Sequence, residues 1–163
     1  MIAVDTNVLV YAESAEDPHH APSRALVGAV AKGVVPAALF PQNLLEFYTV
    51  VTDSKRMTRT LTPQESLSEL SNLTVLFQVL YPGERSLDYL SELLGSGRIR
   101  GSSVFDAFIV AQMQDAGIGI ICTYNTRDFS SYPVRSVTPE EVLQGLGVLP
   151  DGPGLVQDRP ETK

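Results

Sequence analysis

A short apolar segment that ends in an acid opens the chain and places the strongest constraint on its fold. Ile2, Ala3 and Val4 precede Asp5, and Thr6 follows as a candidate helix start. A continuous apolar run of this length is typical of a strand buried on both faces of a parallel sheet. We therefore expect Asp5 to emerge at the carboxyl edge of such a sheet.

Strand-like and helix-like segments alternate along the rest of the chain. Further strands are predicted to open at Val34 and to run over residues 75–80 and 118–123, which makes four strands in all. Helical spacing and capping signals predict helices from Thr6 and over residues 18–32, 44–51, 62–72, 87–94, 104–116 and 138–146. This alternation predicts the α/β class, as a three-layer α/β/α sandwich around a mainly parallel sheet.

The chain has 163 residues, of which 44% are hydrophobic and 19% charged. That length and composition suit one domain with a sizeable core. We expect the domain to span residues 1–147, and the segment 148–163, rich in Pro and Gly, to be a flexible tail.

The charge and cysteine content bear on which partners and which cellular compartment we expect for the protein. A net charge of −7 gives the surface as a whole no attraction for a polyanion, so any contact with nucleic acid needs a local cause. Cys122 is the single cysteine and cannot form an intramolecular disulfide, which favours a reducing compartment and a buried core position. The apolar start of ten residues is too short for a signal-peptide core or a membrane span. We expect a cytoplasmic protein with no membrane partner.

Four acids stand at positions that indicate a common site. Asp5 and Asp128 follow predicted strands, and ligands bind parallel α/β sheets at the carboxyl ends of the strands. Glu46 and Asp106 lie among apolar residues near the starts of predicted helices. A buried carboxylate is costly without a cation or hydrogen-bond donors, and no Lys or Arg is adjacent to either helical acid. These residues indicate a divalent metal site.

Helix capping is the alternative for Glu46 and Asp106. Each follows a capping residue, Asn43 or Ser103, by three positions. Glu65 and Glu141 occupy the same position after Thr-Pro helix starts, among polar neighbours where capping alone explains them. The apolar surroundings of Glu46 and Asp106 favour the metal instead.

Oxygen ligands favour Mg²⁺, with Mn²⁺ able to substitute, over Zn²⁺. Such ions in an acidic cleft typically catalyse phosphodiester hydrolysis, and they also make the cleft attractive to phosphates. Basic residues are the candidate phosphate contacts, with ordinary solvated surface as their alternative role: Lys55, Arg56, Arg59, Arg98, Arg100 and Arg127. Aromatic side chains at Tyr48, Phe105 and Phe108 are expected in the core, and His19 and His20 on the surface at a helix start.

At these residues the sequence resembles the PIN domain family, and within it the VapC-type toxin ribonucleases. The segment 2–11 is similar to the family's first motif, an apolar strand followed by Asp-Thr-Asn. The segment 44–47 resembles the second motif, with Glu46 in the acidic position, and 104–111 resembles the third, with Asp106. Where the family commonly has a final Asp, this chain has Asn125, and Asp128 is the candidate substitute.

The resemblance implies a Mg²⁺-dependent endoribonuclease that leaves 5′-phosphate and 3′-hydroxyl ends. It implies Asp5, Glu46 and Asp106 as metal ligands, with either Asp128 or Asn125 completing the set. Residues that would orient the ligands are Thr6, Asn7, Thr123 and Asn125, and residues that would contact RNA are Arg98, Arg100 and Arg127. It further implies a homodimer and a cognate antitoxin protein whose tail occupies the cleft.

Three other functions remain open at the level of sequence. One is a PIN-domain nuclease without an antitoxin, acting in RNA processing or on DNA. Another is a noncatalytic PIN-like scaffold, since Asn125 replaces an acid. A receiver-like signalling domain would need a Lys at a strand end, and the lysines here are only Lys32, Lys55 and Lys163.

Overall fold

Five short parallel strands form the sheet at the centre of the protein, which a computed structural model describes over residues 1–147. The strands are β1 (Ile2–Val4), β2 (Ala37–Leu39), β3 (Gln78–Val79), β4 (Ile120–Cys122) and β5 (Arg135–Val137). Their spatial order is β3-β2-β1-β4-β5, and every neighbouring pair is parallel. The strand that directly precedes Asp5 therefore lies in the middle of the sheet.

Seven helices within the described residues connect and cover these strands. They are α1 (Thr6–Glu13), α2 (His20–Ala31), α3 (Pro41–Val51), α4 (Pro63–Leu76), α5 (Ser86–Leu94), α6 (Ser103–Asp115) and α7 (Pro139–Gly145). Parallel strands need crossover connections, and helices supply most of them here.

The sheet separates two hydrophobic clusters because successive strand residues point to opposite faces. On β1, Val4 packs into a cluster formed with α1, α2, α3, α4 and α7, whereas Ala3 packs into a second cluster formed mainly with α6. On β4, Cys122 and Ile121 divide in the same way. This arrangement of helices on both faces confirms the predicted α/β/α sandwich, with Cys122 buried as expected.

Three strand predictions need correction. The second strand begins at Ala37 and not at Val34, because the backbone N–H groups of Val34 and Val35 both donate to the Ala29 carbonyl in the turn that ends α2. Gly33 makes that turn with a φ of 69°, which favours glycine.

The third strand is shorter than predicted, because Val75 and Leu76 still belong to α4 and only Gln78–Val79 pairs with β2. The fifth strand, Arg135–Val137, was missed altogether. It is an edge strand whose sequence Arg-Ser-Val has no apolar run to mark it.

Two predicted capping boxes are confirmed. Thr62 and Glu65 exchange hydrogen bonds at the start of α4, as do Thr138 and Glu141 at the start of α7. The predicted tail, 148–163, lies outside the described residues. Among the residues that are described, no helix combines the length and apolar character needed to cross a membrane.

Candidate active site

Asp5 lies at the carboxyl end of β1 and is fixed by three hydrogen bonds. Its Oδ1 accepts from the backbone N–H of Thr6 at 2.7 Å. Its Oδ2 accepts from the Asn7 side-chain amide at 2.8 Å and from the Thr123 hydroxyl at 2.6 Å. The Asn7 amide also donates to Thr123 Oγ1 at 3.0 Å. Asp5 is buried, and the small donors around it fix which way its carboxylate faces.

Glu46 is held by one donor on each carboxylate oxygen. Oε2 accepts from the Thr6 hydroxyl at 2.9 Å, and Oε1 accepts from the Gln42 side-chain amide at 3.0 Å. Asn43, whose Oδ1 accepts from the backbone N–H of Phe40, caps α3 instead of Glu46. The capping alternative is therefore wrong for Glu46.

Asp106 lies in the first turn of α6 without a side-chain hydrogen bond among the described residues. Burial raises the pKa of its carboxyl to about 6, and the negative charges of Asp5, Asp128 and Glu46 contribute to the rise. Ser103, the expected cap, is the first residue of α6, and its hydroxyl hydrogen-bonds to the backbone of Arg100. Ser102 before it makes no side-chain cap, so capping does not account for Asp106 either. The charges of the other three acids therefore act on the Asp106 carboxylate.

Asp128 and Asn125 lie on the exposed turn that follows β4. The backbone N–H of Asn125 donates to Thr123 Oγ1 at 3.0 Å, and the backbone N–H of Asp128 donates to the Asn125 carbonyl at 3.0 Å. The charge of Asp128 raises the pKa of both Asp5 and Asp106. The turn therefore brings Asp128 into the acidic group, while Asn125 contributes its backbone to the support of Thr123.

The four acids are not neutralised by basic side chains within residues 1–147. The ion pairs found there join Arg24 to Glu13, Arg56 to Asp53 and Arg59 to Glu65, all outside the acidic group. Burial is the main cause that raises the pKa of Asp5, partly opposed by its hydrogen bonds from Thr123 and Thr6. This concentration of negative charge favours the binding of a cation.

The side chains of the four acids are farther apart than the ligands of one metal ion. In the described part of the chain, no three His, Cys, Asp or Glu side chains are close enough together to be a formed metal cluster. A divalent cation offsets the repulsion between carboxylates and lets them approach one another closely. The donor set is all oxygen and makes no ion pair with a described Lys or Arg, which fits Mg²⁺ or Mn²⁺.

The predicted RNA contacts lie on exposed loops. Arg98 and Arg100 are in the connection from α5 to α6, just before the helix that presents Asp106, and Arg127 precedes Asp128. None of the three makes an ion pair with a described residue. Their guanidinium groups are thus available to anionic partners.

Two expectations about aromatic side chains were wrong. Tyr48 is 38% exposed and Phe105 is 55% exposed, so neither is a core residue. Both lie on the outer faces of the helices that present Glu46 and Asp106. His19 is half-buried and not a plain surface residue, because its ring stacks on Tyr124 with centroids 4.0 Å apart.

Gln42 is the site residue that sequence reasoning missed. Its position four residues before Glu46 on a helix is the signal that would have identified it.

The two cavities described in the structure lie away from the acids. One, of about 360 Å³, lies between α1, α2 and α4, and the other, of about 570 Å³, lies between the end of α1 and the α3–α4 connection. Neither is lined by Asp5, Glu46, Asp106 or Asp128. The acidic group therefore lies outside both cavities.

A parallel α/β sheet with acids gathered at its carboxyl edge defines a class of acidic-site α/β proteins, and sequence comparison identifies the family. Residues 2–134 match the PIN domain family, and the chain belongs to it. This confirms the resemblance seen in the motifs.

Known relatives agree with that assignment. The chain is 32% identical over 113 residues to VapC ribonuclease Mb2897 of Mycobacterium bovis and equally to ribonuclease VapC43 of Mycobacterium tuberculosis. Each match covers 68% of this chain and 77% of the relative.

Solved structures share the fold at lower identity. Mycobacterium tuberculosis VapC20, described as a sarcin-ricin loop cleaving toxin, has a TM-score of 0.61 at 18% identity over 83% of this chain and 99% of its own. VapBC-1 from nontypeable Haemophilus influenzae has a TM-score of 0.62 at 16% identity over 86% and 99%.

Proposed function

We propose that residues 1–147 form a metal-dependent endoribonuclease domain, and that the protein is the toxin of a VapBC-type toxin–antitoxin pair. One observation carries the proposal: Asp5, Glu46, Asp106 and Asp128 share one electrostatic neighbourhood with no basic partner among the described residues. The VapC ribonucleases among its relatives support RNA as the substrate.

The four carboxylates would hold Mg²⁺ or Mn²⁺, which when bound supplies electrophilic activation of the phosphodiester and a lowered pKa for coordinating water. Thr123 and Asn7 hold Asp5 in one orientation, and Thr6 and Gln42 do the same for Glu46. Arg98, Arg100 and Arg127 bind RNA phosphates beside the acids. Hydrolysis leaves a 5′-phosphate and a 3′-hydroxyl.

The test is cleavage of a mixed tRNA and rRNA pool by the purified protein with Mg²⁺ or Mn²⁺, with EDTA as a control. Asp106→Asn removes a ligand charge at constant size and should lower cleavage at least about 100-fold. Asp88→Asn, the same change on the exposed face of α5, is the matched control and should keep full activity.

The outcomes separate the candidate functions. Cleavage by Asp106→Asn at the rate of the unchanged protein contradicts the proposal. Absence of both cleavage and Mn²⁺ binding favours the noncatalytic scaffold.

A protein antitoxin is part of the proposal. The similar solved structures include toxin–antitoxin complexes, among them VapBC-1 of Haemophilus influenzae. Co-expression with the product of an adjacent gene should yield a complex that does not cut RNA. Active nuclease with no copurifying inhibitor supports the alternative of a stand-alone nuclease.

We also propose that the protein is a cytoplasmic homodimer. Leu45 is 71% exposed on α3, and Phe105 is exposed on α6. Gln42 joins the two helices at this point, so the residues belong to one face that a second copy can cover. Sedimentation should give a dimer for the unchanged protein and a monomer for Leu45→Asp.

A further inference from the structure

We infer that Gln42 is a positioning residue that sets the separation between Glu46 and Asp106, an inference that rests on the proposed metal site. Gln42 lies one helical turn before Glu46 on α3. Its Nε2 donates to Glu46 Oε1 at 3.0 Å and to the backbone carbonyl of Phe105 at 3.1 Å. Phe105 directly precedes Asp106 on α6. One amide group thus connects an acid on one helix to the residue next to an acid on another.

The orientation of this amide is determined by its neighbours. A carboxylate oxygen and a helix carbonyl are both acceptors, so only the NH₂ group, with its two N–H bonds, can face both. The Gln42 Oε1 atom is buried and has no hydrogen-bond partner among the described residues. A buried oxygen without a hydrogen-bond partner destabilises the fold. The amide orientation that makes both donated bonds therefore carries a free-energy cost.

Little else holds α3 to α6 at this point. Among residues 1–147, the Gln42–Phe105 hydrogen bond is the one that joins the two helices. The main packing partners of α3 are α1 and α4, and that of α6 is α5. Glu46 and Asp106 repel one another as like charges. Without the amide, Glu46 keeps Thr6 as its donor and loses its connection to the helix of Asp106.

The test is Mn²⁺ binding by calorimetry on the full chain, together with RNA cleavage kinetics. Gln42→Met keeps the length of the side chain and removes both donors, and we expect a Kd for Mn²⁺ about 10-fold higher. Cleavage should lose kcat with KM nearly unchanged. Thr49→Val on the exposed part of α3 is the control and should bind Mn²⁺ as the unchanged protein does.

A double-mutant cycle with Glu46→Gln separates positioning from a general structural effect. If Gln42 acts through Glu46, Gln42→Met should change the Mn²⁺ affinity of Glu46→Gln less than twofold. A tenfold additional loss overturns the inference. So does a folded Gln42→Met protein with unchanged Mn²⁺ affinity. Failure of the unchanged protein to bind Mn²⁺ would instead contradict the proposed function.

Discussion

The hydroxyl of Thr6 donates a 2.9 Å hydrogen bond to Glu46 Oε2, across 40 positions of sequence. The same Oγ1 accepts from the side-chain amide of Asn43 at 3.3 Å. One hydroxyl therefore orients an acid and satisfies a buried amide, so α1 and α3 are joined by a bond that serves both stability and the site.

Thr6→Val should damage both roles while keeping the shape of the side chain. It leaves Asn43 without an acceptor for its Nδ2 group, and a buried unpartnered donor costs about 1–3 kcal/mol. Mn²⁺ affinity should fall about 10-fold or more, because Glu46 loses a donor that orients it. Thermal unfolding and calorimetry measure the two effects. Thr6→Ser, which keeps the hydroxyl, is the control, and equal losses in both variants would contradict this account.

Asp106→Asn should stabilise the metal-free protein. It removes one of four repelling charges, so its Tm in EDTA should exceed that of the unchanged protein. In excess Mn²⁺ the order should reverse, since the unchanged protein binds more tightly and gains more stability, about 2.7 kcal/mol at about 100 times its Kd. Differential scanning fluorimetry with and without EDTA is the measurement. A variant Tm that responds to Mn²⁺ as strongly as the unchanged protein would exclude Asp106 as a ligand.

The contribution of Asp106 to the stability of the metal-free protein should fall as pH rises from about 4 to about 7. The folded pKa of Asp106 is about 6, above its ordinary 3.8, so the folded state binds more protons than the unfolded state between those values. The stability from this proton is complete below the unfolded pKa and is lost as pH passes the folded pKa. Chemical denaturation in EDTA should show a steeper decline for the unchanged protein than for Asp106→Asn. Parallel pH profiles would show that Asp106 ionises normally in the fold.

Asp128 and Asn125 can be distinguished by matched changes on one turn. Asp128→Asn should weaken Mn²⁺ binding about 10-fold, because its charge acts on Asp5 and Asp106. Asn125→Ala should leave binding within about twofold, since the support of Thr123 comes from the backbone of residue 125. The reverse ranking would make Asn125 the fourth ligand.

Gly83→Ala should destabilise the fold by about 1–2 kcal/mol. A Cβ at this position would lie 2.5 Å from Asp115 Oδ2, the oxygen that accepts a 2.8 Å hydrogen bond from the buried Ser86. The carboxylate would have to move and release Ser86. Gly28→Ala, in open space on α2, is the opposite case and should stabilise by about 0.5–1 kcal/mol. Urea denaturation of both variants tests the pair, and a neutral Gly83→Ala would show that Asp115 moves freely.

The architecture was predictable because hydrophobic period and capping are local properties. The apolar run Ile2–Val4 predicts a strand, and the capping box of Thr62 with Glu65 predicts a helix start. Each signal lies within a few neighbouring residues. The edge strand Arg135–Val137 was not predictable, because its hydrogen bonds to β4 define it more than its own composition does.

One part of the candidate site was predictable from the sequence and another part was not. Apolar flanks and strand ends indicate the acids within their own segments. The tie from Gln42 to Phe105 depends on two helices meeting 63 positions apart, and no local pattern specifies such a distance. The exposure of Phe105 was equally unpredictable, because it depends on which elements pack against the start of α6 and not on the local sequence.

The position of β1 in the middle of the sheet has a consequence for synthesis. Asp5 is translated before the Thr123 hydroxyl that holds it, which comes 118 positions later. Pairing of β1 with β4 is equally non-local and cannot precede translation of residues 120–122. Translation must therefore pass Thr123 before an oriented acidic site exists. On the proposed function, the site therefore forms only after its parts, far apart in sequence, have all been translated.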